Sequence, residues 1–199
     1  REPFNAISHF SAALIAFAAI VVLFLRGISS DILKFALVLY GLSLVSLFLA
    51  SAIYHSVNAN PHWQIILRKM DHSAIYFLIA GTYTPICLYF FTGFYQWGIL
   101  AIIWTMALAG IIVKLFVINA PRWLTAGIYL VMGWFAILAG REVVRTMPAA
   151  AITWMVTGGL FYTVGAVIYI TKTLDFYPGK FGFHEIWHIF VILGALSHF

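Results

Sequence analysis

The chain has 199 residues, of which 64% are hydrophobic, 18% are aromatic and only 9% are charged. Soluble domains contain about 45–50% apolar and about 25% charged residues, so this composition excludes a single water-facing globule and indicates a polytopic membrane protein. The formal net charge of +5 suits contact with anionic lipid in a bilayer, and the sequence has no basic patch that predicts a nucleic-acid partner.

Charged residues divide the chain into apolar runs, and a membrane-spanning helix needs about 20 apolar residues. Residues 3–25 carry no Lys, Arg, Asp or Glu and predict the first helix. The run 35–67 predicts the second helix, which we expect to end near Val57. Pro61 then breaks the helix, so the stretch NANPHWQIILRKM is predicted to form a turn and a short interfacial segment.

The uncharged run 72–113 is long enough for a third and a fourth helix, and FFTGFYQWG separates them with aromatic residues typical of a water interface. A fifth helix is predicted at about 122–140, and REVVRTMP separates it from a sixth at about 149–171. A seventh helix follows from about residue 182. The predicted fold is therefore an all-α membrane protein with seven transmembrane helices, in one domain that covers residues 1–199.

The distribution of Lys and Arg predicts the orientation of these helices. Seven such residues fall on the side of the N-terminus: Arg1, Arg68, Lys69, Lys114, Arg122, Lys172 and Lys180. Four fall on the opposite side: Arg26, Lys34, Arg141 and Arg145. The positive-inside rule therefore predicts a multi-pass protein of the cell membrane with a cytoplasmic N-terminus. Because the first residue is not Met and the last helix stops at Phe199, we expect both ends to be truncated.

Polar residues on three predicted helices lie at one membrane depth. Ser51 and His55 lie near the cytoplasmic end of the second helix, Asp71 opens the third, and His184 and His188 occupy the first turns of the seventh. Residues four positions apart share one helical face. Two histidines at this spacing can therefore bind one metal ion, with a third histidine from another helix completing the set.

Three neutral imidazoles hold zinc tetrahedrally and leave one position for water, which is the arrangement of catalytic zinc sites. A nearby carboxylate can orient that water and accept its proton, and Asp71 is placed for this role. The alternative for Asp71 is a carboxylate that interacts favourably with the dipole at the start of its helix. Both readings stay open from the residues alone.

The other histidines and polar residues have simpler interpretations. Hydrogen bonding between helices is favoured for Asn5, Ser8, His9 and His72. His62 is expected in a solvated loop, and His198 lies about 15 Å along the helix from His188, too far to share its metal. HEIWH at 184–188 matches the H-E-x-x-H pattern of zinc proteases, but no Asp or Glu follows it as a further ligand. We therefore assign Glu185 to the surroundings of the site.

The segments EPFNAISH, SAIYH, KMDHSAIYFLIAGTYTP and HEIWHIFVILGALSHF resemble the bacterial hemolysin III family over essentially the whole chain. That family is related to the progestin and adipoQ receptors (PAQR), within a wider superfamily of proposed membrane hydrolases. The resemblance implies zinc bound by His55, His184 and His188, and a zinc-bound water held by Asp71. It also implies that Ser51 lies near the water or the substrate.

The resemblance implies a zinc-dependent amidase or esterase, similar to a ceramidase, that acts on a membrane lipid in lipid and fluidity homeostasis. The family name suggests an alternative, a pore-forming cytolysin, although the sequence has neither a convertible amphipathic segment nor a charged ring suited to a pore. A receptor or sensor with structural zinc is a further alternative. A rhodopsin-like pump is excluded because no lysine follows Lys180 to form a Schiff base. The substrate and the oligomeric state stay open.

Overall fold

A computed structural model describes residues 2–25, 29–117 and 119–199 of the chain. The helices in these ranges are α1 (Pro3–Leu25), α2 (Asp31–Ser56), α3 (Pro61–Phe90), α4 (Gly93–Phe116), α5 (Arg122–Gly133), α6 (Gly140–Thr146), α7 (Ala149–Thr171) and α8 (Phe183–His198). A 3₁₀ segment, Trp134–Ala139, connects α5 to α6. The described residues contain no strand, and Tyr177 and Phe181 form an isolated bridge before α8.

Six helical segments of the described chain are long and apolar enough to cross a membrane: α1, α2, α3, α4, the unit Arg122–Thr146, and α7. α8 has 16 residues and is about 24 Å long, shorter than the hydrocarbon core of about 30 Å. The predicted all-helical, multi-pass membrane fold is therefore confirmed. The count of seven spans and the orientation stay predictions, and Arg1 and Arg26 of the charge count lie outside the described residues.

Two predicted helix boundaries are wrong. Pro61 begins α3 instead of breaking a helix, because a proline in the first turn lacks only an N–H group that would have no helical partner. The side chain of Asn60 caps this turn by accepting a hydrogen bond from Trp63 N at 3.1 Å. The predicted interfacial segment is thus the start of a 30-residue helix. The stretch 141–146, predicted as a connection, is helical and extends the fifth span.

The 3₁₀ segment interrupts the fifth span, and a tyrosine of α3 satisfies the backbone groups that it leaves free. The hydroxyl of Tyr83 lies 2.8 Å from the carbonyl oxygen of Gly133 and accepts a hydrogen bond from Ala136 N, also at 2.8 Å. Inside a membrane, a backbone group without a partner costs several kcal/mol, on the order of a lost hydrogen bond in hydrocarbon. Tyr83 therefore allows the span to change its helical form at this depth.

The helices form a ring around a central cavity. α1 packs against α2 and α8, α2 against α3, and α7 against α5 and α8, while contacts between α3 and α5 close the ring. α4 packs mainly against α3 on the outside of the ring. This order brings α1 and α8, which are far apart in sequence, into direct contact.

Candidate metal centre

Three histidines from two helices meet at one end of the ring. His55 lies in the last turn of α2, and His184 and His188 lie in the first turns of α8. One nitrogen from each ring can be chosen so that all three lie within 4.8 Å of one another. His55 and His188 are buried, and His184 is half-buried. The structure therefore brings together the histidines that the sequence predicted as metal ligands.

The spacing of the nitrogens fits a metal ion. His184 Nε2 and His188 Nε2 are 3.3 Å apart. Nitrogens at about 2.0–2.1 Å from a tetrahedral zinc ion lie about 3.3 Å from one another. The same distance also permits a hydrogen bond between the two rings, so the geometry accommodates zinc without requiring it.

Ser51 and Asp71 lie beside these histidines. Ser51 is buried one turn before His55 on α2, and its hydroxyl makes no hydrogen bond of ordinary geometry with another described residue. Asp71 is the eleventh residue of α3 and does not open the helix as predicted, so the dipole at the helix start does not account for it. It lies next to Ser51, where its carboxyl group interacts electrostatically with His55 and His184. All five predicted site residues are thus neighbours. A buried hydroxyl and a carboxyl group that face one space can hold a water molecule or a polar substrate group.

These residues open into a cavity of about 320 Å³. Ser51, Asp71, His184 and His188 line one end of the cavity, and its remaining walls are largely apolar side chains of α3, α5, α7 and α8. Sites for small molecules are typically about 300–1,000 Å³, apolar, and equipped with a few polar groups that fix orientation. The cavity can therefore accept an apolar chain with its polar end at the histidines.

His9 and Asn5, which were predicted to form hydrogen bonds between helices, form them beside the three histidines. His9 of α1 is buried, and its Nε2 lies 2.7 Å from Nδ1 of His188. The amide nitrogen of Asn5 donates to Glu2 Oε2 at 3.1 Å and to Glu185 Oε1 at 3.0 Å. Both side chains connect α1 to residues at or beside the three histidines. They are hydrogen-bonding residues between helices, as expected, and they surround the candidate ligands.

The other predicted polar residues are not part of the group of three histidines. Ser8 bonds back to the carbonyl oxygen of Asn5 at 3.2 Å, and His62 is exposed at the start of α3. His198 is at the far end of α8, and its Nδ1 lies 3.0 Å from the carbonyl oxygen of Gly194. His72 lines the cavity beside Asp71, and its carbonyl oxygen accepts from the hydroxyl of Tyr129 at 3.0 Å.

Hydrogen bonds from the backbone and from Asn5 engage both carboxylate oxygens of Glu185. Its Oε2 accepts a hydrogen bond from Gly182 N at 2.8 Å, which satisfies a free backbone group at the start of α8. Its Oε1 accepts from Asn5. Glu2, His184 and Glu185 form a second group with potential ligand atoms within 4.8 Å, but hydrogen bonds from Asn5 already engage both carboxylates. The arrangement differs from that of an H-E-x-x-H protease, whose glutamate acts on the metal-bound water.

Sequence analysis did not predict any role for Glu2, the residue before α1. Its Oε2 lies 2.7 Å from Nδ1 of His55, outside the direction of an ordinary hydrogen bond, and 3.5 Å from Nδ1 of His184. The contacts with His184 and then His55 hold the pKa of the Glu2 carboxyl group well below its ordinary value, although partial burial opposes this shift. The spacing of Glu2, Asn5 and His9, which share one helical face, is the signal that could have identified it.

Comparisons with known proteins agree with this architecture. The profile of a family described as "Haemolysin-III related" matches residues 1–199. The chain is 36% identical to Hemolysin-3 of Bacillus cereus over 203 residues, which cover 100% of this chain and 89% of the relative. It is 37% identical to a Hemolysin-3 homolog of Bacillus subtilis (strain 168) over 203 residues, with 100% and 91% covered. A more distant relative is the adiponectin receptor protein of Drosophila melanogaster, at 29% identity over 150 residues, with 67% and 34% covered.

Proposed function

The chain belongs to the haemolysin III-related family, and from this premise we propose that it is a zinc-dependent hydrolase of an amide or ester bond in a membrane lipid. The observation that carries the proposal is the convergence of three histidines, a carboxyl group and a buried hydroxyl at one end of an apolar cavity. A lipid has the same division between an apolar chain and a polar linkage. Its turnover would serve the lipid composition and fluidity of the membrane.

The proposal includes seven spans in the cell membrane, with α8 as the seventh and the N-terminus in the cytoplasm. A hydrophobic helix shorter than the bilayer is accommodated by local thinning at a modest cost. Support for the orientation comes from four basic residues on the histidine side of the helices: Arg68 and Lys69 in the first three turns of α3, Lys114 in the last turn of α4, and Arg122 at the start of α5. The site would then lie near the cytoplasmic interface, at the depth of lipid amide and ester linkages.

His55, His184 and His188 would hold the metal. When bound, zinc supplies a Lewis acid that polarises a carbonyl group and lowers the pKa of water to about 7. Asp71 would orient a water molecule in the cavity and accept its proton, since its carboxyl group faces the same space. The Ser51 hydroxyl would donate a hydrogen bond to the substrate or the water. The apolar walls would bind the acyl chain and exclude bulk water.

Metal analysis of the purified protein, combined with lipid turnover in vitro, tests this proposal. We expect about one zinc ion per chain, as an open tetrahedral site allows, and loss of both the metal and the turnover after treatment with a chelator. The double variant His184→Ala, His188→Ala should lose the metal. Full zinc occupancy in that double variant would contradict the assignment of the ligands.

The name hemolysin, which both Bacillus relatives carry, keeps membrane lysis as a second candidate. An aqueous pore is usually lined by polar or charged groups, whereas the walls of this cavity are largely apolar. Release of an encapsulated dye from vesicles that contain the purified protein separates the two functions. A hydrolase should leave the vesicles sealed while it converts their lipid, and a cytolysin should release the dye without lipid conversion.

A further inference from the structure

We propose that α1 supplies the residues that orient all three candidate metal ligands: Glu2 for His55 and His184, and His9 for His188. In this arrangement Glu2 and His9 favour the ring proton of each histidine on Nδ1, which leaves Nε2 for the metal. This inference rests on the zinc site of the proposed function, and it concerns how that site is held. It gives α1 a role in metal binding although α1 contains none of the proposed ligands.

The polar residues of α1 form one stripe. Glu2, Asn5 and His9 are three and four residues apart, so they lie along one face of the helix. Asn5 is 0% and His9 is 2% exposed, whereas Ile7 and Phe10, on other faces, are 67% and 50% exposed. The polar stripe therefore faces the interior of the ring, and the apolar faces lie toward lipid.

Glu2 contacts two of the three histidines through one oxygen. Its Oε2 lies 2.7 Å from Nδ1 of His55, off the direction of an ordinary hydrogen bond, and 3.5 Å from Nδ1 of His184, so its negative charge faces both ring nitrogens. An ionised carboxylate accepts hydrogen bonds and donates none, so a ring nitrogen that faces it is stabilised with its proton attached. In neutral imidazole the other nitrogen, Nε2, then carries the lone pair that a metal needs. Ligand histidines in metal sites commonly have such a carboxylate partner.

His9 does the same for the third histidine. Nε2 of His188 faces Nε2 of His184 at 3.3 Å, while Nδ1 of His188 lies 2.7 Å from Nε2 of His9. If Nε2 of His188 binds the metal, Nδ1 keeps the proton and donates it to His9, which accepts through Nε2. The ring of His9 packs edge-on against Phe48 with centroids 5.2 Å apart, which limits its rotation.

Asn5 holds this arrangement together. Its amide nitrogen donates to Glu2 Oε2 and to Glu185 Oε1, and Glu185 in turn accepts from Gly182 N. In addition, Glu2 N donates to the carbonyl oxygen of His55 at 3.1 Å. The start of α1 is thus tied to the end of α2 and to the start of α8, the two places that present the histidines. A shift of α1 would move both.

The experiment measures zinc affinity in the full chain by competition with a chromophoric chelator. Loss of a partner behind a metal ligand typically weakens metal binding about 10–100-fold. We expect a weakening in this range for Glu2→Gln and for His9→Phe, which keeps a ring against Phe48 but cannot accept the proton of His188. His9→Gln restores an acceptor and should recover part of the affinity. Asp31→Asn and His62→Gln, which remove an exposed acid and an exposed histidine, are matched controls and should leave the affinity unchanged.

A second readout separates orientation of the ligands from support of the fold. The visible absorption of the cobalt(II)-substituted protein reports the geometry of the ligands, and it should change in Glu2→Gln and His9→Phe but not in the controls. Wild-type zinc affinity and an unchanged cobalt spectrum in both variants would overturn the inference, even if the zinc-free variants melt at a lower temperature. A wild-type chain that binds no zinc would overturn the proposed function as well. Weakened zinc binding in a chain without lipid turnover would support the inference and contradict only the hydrolase.

Discussion

At the scale of single residues, Asp71 distinguishes a hydrolase from a structural zinc site. Asp71→Asn keeps the shape of the side chain and one acceptor oxygen but removes the charge that accepts a proton. Because Asp71 is not a proposed ligand, we expect normal zinc content and a lipid turnover that is lower by about 10²–10⁴, the usual contribution of a positioned acid or base. Metal analysis and a lipid turnover assay on the same preparation measure both.

Glu185→Gln is the control for that experiment. Both carboxylate oxygens of Glu185 already accept hydrogen bonds, from Gly182 N and from Asn5, so its loss should lower turnover much less. An active Asp71→Asn variant with an inactive Glu185→Gln variant would mean that the proton acceptor is Glu185. Two inactive variants without metal would favour a structural zinc site, as in a receptor or sensor.

The three metal-binding histidines give a prediction about the stability of the folded chain. A ligand that binds only the folded state at 100 times its Kd stabilises that state by about 2.7 kcal/mol. We expect added zinc to raise the unfolding temperature of the wild-type chain and to have little effect on His55→Ala or His188→Ala. Thermal unfolding with and without zinc measures this. An equal shift in wild type and both variants would place the metal elsewhere.

At the scale of helices, a close approach of α7 and α8 positions the histidines. A Cβ atom added at Gly165 of α7 would lie 2.7 Å from Cβ of Phe190, an atom that cannot move without the backbone of α8. Overpacking of this kind usually costs about 1–3 kcal/mol. We expect Gly165→Ala to lower the unfolding temperature and to weaken zinc binding, because α8 carries His184 and His188.

Gly127→Ala is the matched control in α5. No heavy atom lies within 4 Å of a Cβ added there, apart from the helix's own neighbouring backbone, and alanine favours a helix over glycine by about 1 kcal/mol. We therefore expect equal or higher stability for Gly127→Ala. Equal effects of the two substitutions would show that the contact between α7 and α8 does not limit stability.

The 3₁₀ segment of the fifth span gives a second prediction at this scale. Tyr83→Phe removes the hydroxyl that bonds Gly133 and Ala136, and a buried group left without its partner costs about 1–3 kcal/mol. We expect a lower unfolding temperature for Tyr83→Phe and almost none of this effect for Tyr89→Phe, since Tyr89 is exposed. Equal unfolding temperatures for Tyr83→Phe and Tyr89→Phe would mean that the backbone groups of Gly133 and Ala136 find other hydrogen-bond partners, from water or from a change of helical form.

At the scale of the whole molecule, the proposed orientation places the site near the cytoplasm. The split of Lys and Arg, seven to four, predicts a cytoplasmic N-terminus and an external C-terminus. A reporter fused after α8, in a bacterium with a periplasm, should be active in the periplasm and silent in the cytoplasm. The opposite result would move the site to the outer face or reduce the number of spans to six.

Features that depend on neighbouring residues were predictable from the sequence. Apolar runs between charges predicted most of the spans, and the four-residue spacing of His184 and His188 placed both on one face of a helix. The two wrong helix boundaries concern local features that allow more than one structure. Pro61 can either end a helix or begin one, and Glu142 and Arg145 of α6 pair at 2.6 Å, which allows charged residues inside a helix. The 3₁₀ segment has no signal in the sequence that we used.

The sequence by itself determined that the chain is a helical membrane protein. It also determined which histidines and carboxylates are available for chemistry, because hydropathy and helical spacing are local properties. Only the tertiary structure decided which of these groups meet. Asn5 and Glu185 are 180 positions apart, and no local rule predicts their hydrogen bond. Their contact exists because the ring of helices closes with α1 against α8, so that the polar stripe of α1 faces the histidines. Burial in an apolar interior favours a partner for each polar group, and packing decides which partner is within reach.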